Sequence, residues 1–232
     1  MTEITILAVS RISDGVCVAG ITDDGQWIRP TRPNRDDSWR QLDRDDCRDV
    51  NGNWIVRKGN RVRIDLVEPI PKGTHSEDWR IGSRRAQLVH ELSEQEYFGF
   101  CQNYQELTLE PIEQTINTRS LILVRPERFT SFTFEVETSL KGKRSYVPRC
   151  GFVFNQRLHL RKPISDVEWR EYGRKYLRNN QCPAVKDILH ENQTDNYWLT
   201  IGQNIVGSTI YLMVVGIHFF PVRHFDMDFK RL

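Results

Sequence analysis

The order of strand-like and helix-like segments is the strongest constraint on this chain. Residues 3–10 (EITILAVS), the 15–33 stretch (GVCVAGITDDGQWIRPTRP) and 60–69 (NRVRIDLVEP) read as strands. A helical stretch follows at 92–107, where Ser93 and Glu96 have the spacing of a capping box. Strand-like segments return at 119–127, 129–137 and 144–155. A second helix is expected over 164–180, with Ser165 and Glu168 as its capping pair, and strands at 196–202 and 208–220 close the chain. Strands in groups, without strand–helix alternation at short period, argue against a doubly wound parallel sheet. Two small antiparallel barrels in tandem are expected, with a boundary near 113–118.

Asp24-Gly25 is a favoured two-residue hairpin turn. That loop pairs Thr22 with Trp27, Ile21 with Ile28 and Gly20 with Arg29. Cys17, Ala19, Ile21 and Ile28 then share an apolar face, and Val16, Val18, Gly20, Thr22, Trp27 and Arg29 the other. A loop one residue longer reverses these faces. In either case Trp27 and Arg29 lie on one side of their strand, opposite Ile28. Pro30 is expected to end the ladder. A buried guanidinium needs a counter-charge, either an anionic ligand or an internal acid such as Asp65 or Glu77.

The remaining features mostly exclude. The five cysteines, Cys17, Cys47, Cys101, Cys150 and Cys182, are odd in number and widely spaced. That pattern argues against a disulfide framework and a ribbon-type zinc site. The start lacks the pattern of a signal peptide, and the longest apolar run, 210–220, is too short for a membrane helix. A cytoplasmic protein without a membrane partner is expected. No phosphate-binding glycine motif occurs. HENQT (190–194) lacks the second zincin histidine, and His218 reads as a satisfied core histidine. The pairs Asp36-Asp37 and Asp45-Asp46 sit among arginines and read as a solvated, self-neutralised loop rather than a nuclease metal site. No cofactor, metal or catalytic residue is expected. The net charge is only +2, yet the chain has 25 arginines against 8 lysines. Arginine suits bidentate phosphate contacts and stacking, but also surface ion pairs with the 31 acids.

Cys17, Ala19 and Gly20 in CVAG, the G-x-W-x-R-P at 25–30, HSEDW at 75–79, and DNYWLTIG followed by YLMVVGIHFFP form a combination that resembles the dual OB-containing domain family of prokaryotes. The resemblance runs from Ile4 to about Pro221. Asp78 departs from the family's usual asparagine, keeping its shape and adding a charge. The resemblance implies two tandem OB-like antiparallel β-barrels in an all-β chain with two short helices. The first barrel spans 1–115 with the helix near 92–107, and the second spans 116–232 with a helix near 165–179. It also implies oligonucleotide binding and a context of defence or mobile-element systems, and it transfers no catalytic set.

OB barrels take ligands across strands 2 and 3, and single strands are held by aromatic platforms in a positive groove. The candidate nucleic-acid-binding residues are therefore Trp27, Arg29, Arg32, Trp39 and Arg40; Trp79, Arg80, Arg84 and Arg85; and Lys141, Lys143, Arg144, Tyr146 and Arg149. Arg170, Arg174 and Arg178 form a basic ridge on the second helix, backed by Trp169, Tyr172 and Tyr176. The expected function is a non-catalytic module binding single-stranded DNA or RNA, alone or within a larger nucleoprotein complex. The alternative is an adaptor that docks a larger complex through the same tryptophans and arginines.

Overall fold

The computed structural model describes residues 1–12, 15–32, 41–113, 119–138, 142, 144–178, 183–194 and 196–222. The first part of the chain runs β1 (Thr2–Ile12), β2 (Gly15–Ile21), β3 (Trp27–Thr31), β4 (Asn60–Ile64), β5 (Leu66–Pro69), β6 (Asp78–Ile81), β7 (Gln87–Glu91), α1 (Glu94–Tyr104) and α2 (Glu110–Glu113). It continues with β8 (Leu121–Val124), β9 (Arg128–Thr138), β10 (Arg144–Phe154), β11 (Arg157–Pro163), α3 (Val167–Arg178), α4 (Val185–Glu191), β12 (Asn196–Val206) and β13 (Thr209–Phe220).

These elements do not make two closed barrels. Seven strands form one mixed sheet in the order β5-β6-β3-β2-β1-β4-β7, with β3 and β6 parallel. The sheet curls into an open half-barrel whose edges stay 12 Å apart. Two separate three-stranded sheets, β11-β10-β9 and β13-β12-β8, are also unclosed. The edge strands explain the opening. β5 has four residues and ends in Pro69, which has no N–H to donate, and β7 is five residues long and exposed throughout. The half-barrel interior is filled by Leu42, Cys47, Ile55 and Val56 from the segment before β4, together with Val167 of α3. Four helices lie among the described residues, rather than two short ones.

The capping box of α1 forms as its sequence suggests: Glu96 N–H donates to Ser93 Oγ at 3.3 Å, and Ser93 N–H donates to Glu96 Oε2 at 2.8 Å. The cap of α3 is Asp166 rather than Ser165, since Trp169 N–H donates to Asp166 Oδ1 at 3.0 Å. The aromatic side of α3, with Trp169, Tyr172 and Tyr176, packs into the core between the two smaller sheets.

The hairpin joining β2 and β3 uses a three-residue loop. Thr22 and Gln26 pair across it, and Gly25 takes φ +85°. Gln26 N–H also donates to Thr22 Oγ1 at 3.0 Å. Ile21 therefore faces Trp27, and Gly20 faces Ile28. The extra residue reverses the expected faces: Val16, Val18 and Ile28 enter the half-barrel interior, while Ala19, Ile21 and Trp27 lie on its outer face. Trp27 and Arg29 do share a side, opposite Ile28. The absence of a side chain at Gly20, which suggests open space opposite Arg29 in the expected register, instead serves a close strand approach: a Cβ there would stand 2.4 Å from the Thr5 carbonyl oxygen. Pro30 stays within β3, whose pairing continues along β6.

The outer face is covered by α1 and by the β13-β12-β8 sheet. Trp27, Trp198, Phe220 and Leu123 are all nearly inaccessible in this interface. Burying each such side chain stabilises the fold by about 1.5–3 kcal/mol, and the Trp198 indole N–H is satisfied by Gln105 Oε1 at 2.8 Å.

Candidate ligand slot between two sheets

The covering sheet leaves part of the outer face open. Ala8 and Ser10 of β1, Cys17 and Ala19 of β2 and Arg29 of β3 point to the same side by strand alternation. They form one wall of a cavity of about 270 Å³. Leu121, Gly202, Gln203, Asn204, Met213 and Val215 of the covering sheet form the other wall, and His75, Ser120, Ser165 and Arg11 complete the lining. The alanines are short, so the sheets enclose a gap here instead of the aromatic packing found around Trp27.

Arg29 binds Asp78 through two hydrogen bonds, Nε to Oδ1 at 2.5 Å and Nη2 to Oδ2 at 2.8 Å. The parallel register of β3 on β6 sets the two residues opposite each other, and Arg29 N–H donates to the Glu77 carbonyl at 2.8 Å. The pair is largely withdrawn from water, with side chains 16% and 2% exposed. Burial opposes the charge on Arg29, but the Asp78 pair and the nearby Glu77 help hold its pKa above the ordinary arginine value. The counter-charge is thus internal, as one of the two alternatives held, and it comes from Asp78.

Glu77 is buried beside this pair. Ser120 donates to it twice, from its hydroxyl and from its backbone N–H at 3.1 Å. His75 Nδ1 lies 2.7 Å from Ser120 Oγ and 3.6 Å from Glu77. Burial raises the pKa of Glu77, but the His75 hydrogen bond, the Arg29 charge and Ser120 outweigh it and hold the carboxyl below the usual range. Burial raises the Cys17 thiol, with Arg29 acting the other way. Behind the slot wall, Arg29 therefore stands against two carboxylates, Asp78 and Glu77.

The other sequence candidates do not gather at this slot. Trp27 is core, at 4% exposure, and Trp79 is half-buried against the half-barrel interior. Arg32 pairs with Asp46, Arg80 with Glu68 at 2.8 Å, and Arg149 with Glu137 at 2.7 Å. Arg84 and Arg85 are exposed and, with Arg32, border a separate hollow of about 290 Å³ that also contains Asp43, Asp45 and Asp46. Tyr146 lies under the guanidinium groups of Arg170 and Arg174, 5.3 and 5.5 Å from its ring centre. Arg170 also donates to the Tyr146 carbonyl and Arg174 pairs with Glu171, so these two members of the α3 ridge are engaged internally. Trp39, Arg40, Lys141, Lys143, Asp36 and Asp37 lie outside the described residues, as do the side chains of Arg144 and Arg178. The sequence named Glu77 and Asp65 as acids that could meet Arg29, but reading it for cations and aromatics passed over His75, Asp78 and Ser120. HSEDW was visible as a unit, but only Trp79 of that unit, with the following Arg80, was placed in a site.

Among the described residues there is no group of three or more His, Cys, Asp or Glu placed to hold a metal ion, and no helix is long and apolar enough to cross a membrane. Cys17, Cys47, Cys101 and Cys150 are free thiols. The sequence elements that converge on the slot are CVAG, W-x-R-P and HSEDW, with DNYWLTIG and YLMVVGIHFFP supplying Gly202, Met213 and Val215 of the facing wall. A family model described as the dual OB-containing domain matches residues 2–190. The chain belongs to the dual OB-containing domain family. No curated relative and no solved structure matches it. In this dual OB-containing chain the outer face of β1–β3 serves two purposes: most of it binds the chain's own second sheet, and the remainder lines the slot.

Proposed function

We propose that the chain is a non-catalytic nucleic-acid-binding module for single-stranded DNA or RNA, acting as an accessory protein of a prokaryotic defence or mobile-element system. One observation carries this reading. The slot lies against β2 and β3, and in OB folds the face of strands 2 and 3 takes oligonucleotides; three separate elements of the family pattern supply Cys17, Arg29 and His75 to it. Binding of short labelled single strands, followed by fluorescence anisotropy, tests it. Saturable binding that weakens log-linearly with salt is expected. No binding to DNA or RNA at low salt overturns it.

The adaptor reading is favoured by a different feature. Leu158 and Leu160 are 55% and 61% exposed on the edge strand β11, and such an edge invites pairing with another chain. Complex formation that resists salt and is lost in Leu158→Lys would support that reading instead.

A further inference from the structure

We infer that the slot takes a single unpaired nucleobase, inserted between the two sheets, with its phosphates left at the mouth. The inference rests on the nucleic-acid reading above and names the part of the ligand that enters. Charge decides between base and phosphate. Arg29 is already matched in bidentate fashion by Asp78, and Glu77 adds a second carboxylate kept ionised by Ser120, His75 and Arg29. The slot's inner cation is therefore already taken by Asp78, with Glu77 close behind it, and a phosphate at that depth would have to compete with both carboxylates for Arg29. Arg11, which lies at the exposed end of the lining, is the cation placed for a phosphate outside.

Shape and hydrogen bonding favour a ring. Stacked sheets lie about 10 Å apart. Where Ala8 and Ala19 face Leu121 and Val215, that spacing leaves a gap between two apolar walls. Elsewhere in the same interface aromatic rings of this chain, Trp27, Trp198 and Phe220, fill the space. A planar heterocycle therefore repeats in the slot the packing already present beside it. The polar lining suits its edge: the Ser165 hydroxyl oxygen is buried without a hydrogen-bond partner among the described residues. Ser120 takes Nδ1 of His75, which leaves Nε2 as the ring nitrogen for a ligand. A base paired in a duplex cannot enter, so unpaired or extruded bases are selected.

Competition against a bound labelled single strand, using unmodified protein, tests the inference. The competitors are adenosine, guanosine, cytidine, uridine and thymidine, with ribose 5-phosphate and inorganic phosphate at equal concentration. At least one nucleoside is expected to displace the strand, and neither phosphate compound is expected to do so. The salt slope should be shallow, about −0.7 for each phosphate contacted. Cys17→Phe, which projects a ring into the slot, should weaken strand binding by about tenfold or more, as for a lost stacked base. Strand binding that no nucleoside displaces, or that phosphate displaces equally well, overturns the inference and leaves the nucleic-acid reading standing. So does unchanged affinity in a folded Cys17→Phe. Failure of any strand to bind overturns the nucleic-acid reading itself. If Cys17→Phe does not fold, the competition on unmodified protein still decides.

Discussion

Two polar clusters lie in the interface between the half-barrel and the rest of the chain, and they are built alike. In the slot, Arg29 stands near Asp78 and Glu77, and His75 contacts a hydroxyl, Ser120. In the second cluster, Lys58 stands between Asp166 at 2.5 Å and Glu168 at 3.1 Å, and His218 lies between Tyr97 OH at 2.5 Å and Thr200 Oγ1 at 2.9 Å. Ser165 and Asp166 join them, one lining the slot and the other binding Lys58. The difference is room. The pocket around Lys58, Glu168 and His218 holds about 20 Å³, against about 270 Å³ in the slot. A space that small accommodates about one water, although a hollow of about 160 Å³ reaches Lys58 and Tyr97 from the β4–α1 side. The same polar vocabulary therefore acts as a lock where its groups fill the space between them and as a candidate site where they leave a gap.

The lock is satisfied in detail. Asp166 Oδ2 accepts from Lys58 and from Ile217 N–H at 2.8 Å, and Lys58 also donates to the Ile217 carbonyl at 2.7 Å. Thr200 donates to the Leu7 carbonyl at 3.1 Å, next to the bulge in β1. Its oxygen then accepts from His218 Nε2–H, and His218 Nδ1 accepts from Tyr97, which fixes a neutral tautomer. Burial, helped by the charge on Lys58, holds the pKa of His218 well below the ordinary histidine value. Gly216 belongs to the same contact, since a Cβ there would meet the Leu7 carbonyl oxygen at 2.3 Å.

The comparison breaks most clearly at its two cations. Lys58→Met leaves Asp166 and Glu168 buried without their cation and should cost about 3–5 kcal/mol in urea unfolding. Arg29→Met should cost less, about 1–3 kcal/mol, because its pair reaches the slot and water can enter. Equal losses, or a larger loss at Arg29, would show that the slot is as closely filled as the lock.

The histidine of the lock gives a smaller effect. With a folded pKa below the unfolded value of about 6.5, the unfolded chain binds the proton first as pH drops. Stability is full above about 6.5 and falls below it toward the lowered folded value, by at most about 1.4 kcal/mol per pH unit for one group. His218→Gln should flatten this slope in urea midpoints measured across that range. An unchanged slope would assign the dependence elsewhere, for example to His159, whose pKa burial also lowers.

Local signals in the sequence were legible because their partners are close in the chain. The Ser93–Glu96 box needs only one helical turn, and the Asp24-Gly25 hairpin was visible as a hairpin. Its loop length was not, because the Thr22 hydroxyl's bond to Gln26 favours three residues over two, and that one-residue slip moves Trp27 from a candidate platform to a paired core position. Ser165 looked like a cap, but Asp166, one residue later, does the capping. Barrel closure was beyond local reading: whether the sheet closes depends on β3 pairing in parallel with β6, from residues 49 apart in sequence, and on edge strands too short to meet. Arg29's need for a counter-charge followed from its expected burial, whereas the choice of Asp78 follows from that same long-range register. Lys58 carried no signal, since an isolated lysine beside Gly59 reads as surface until its acids arrive from α3.

Photo-crosslinking tests the central claim most directly. A short single strand carrying a photoreactive base is irradiated on the intact protein, and the adducts are mapped by mass spectrometry. Adducts are expected in the peptides containing Cys17, His75 and Met213, from both walls of the slot, and they should diminish when a competing nucleoside is present. Adducts confined to the arginines around Arg84 and Arg85, or to the β11-β10-β9 sheet, with none in the slot peptides, would contradict the account.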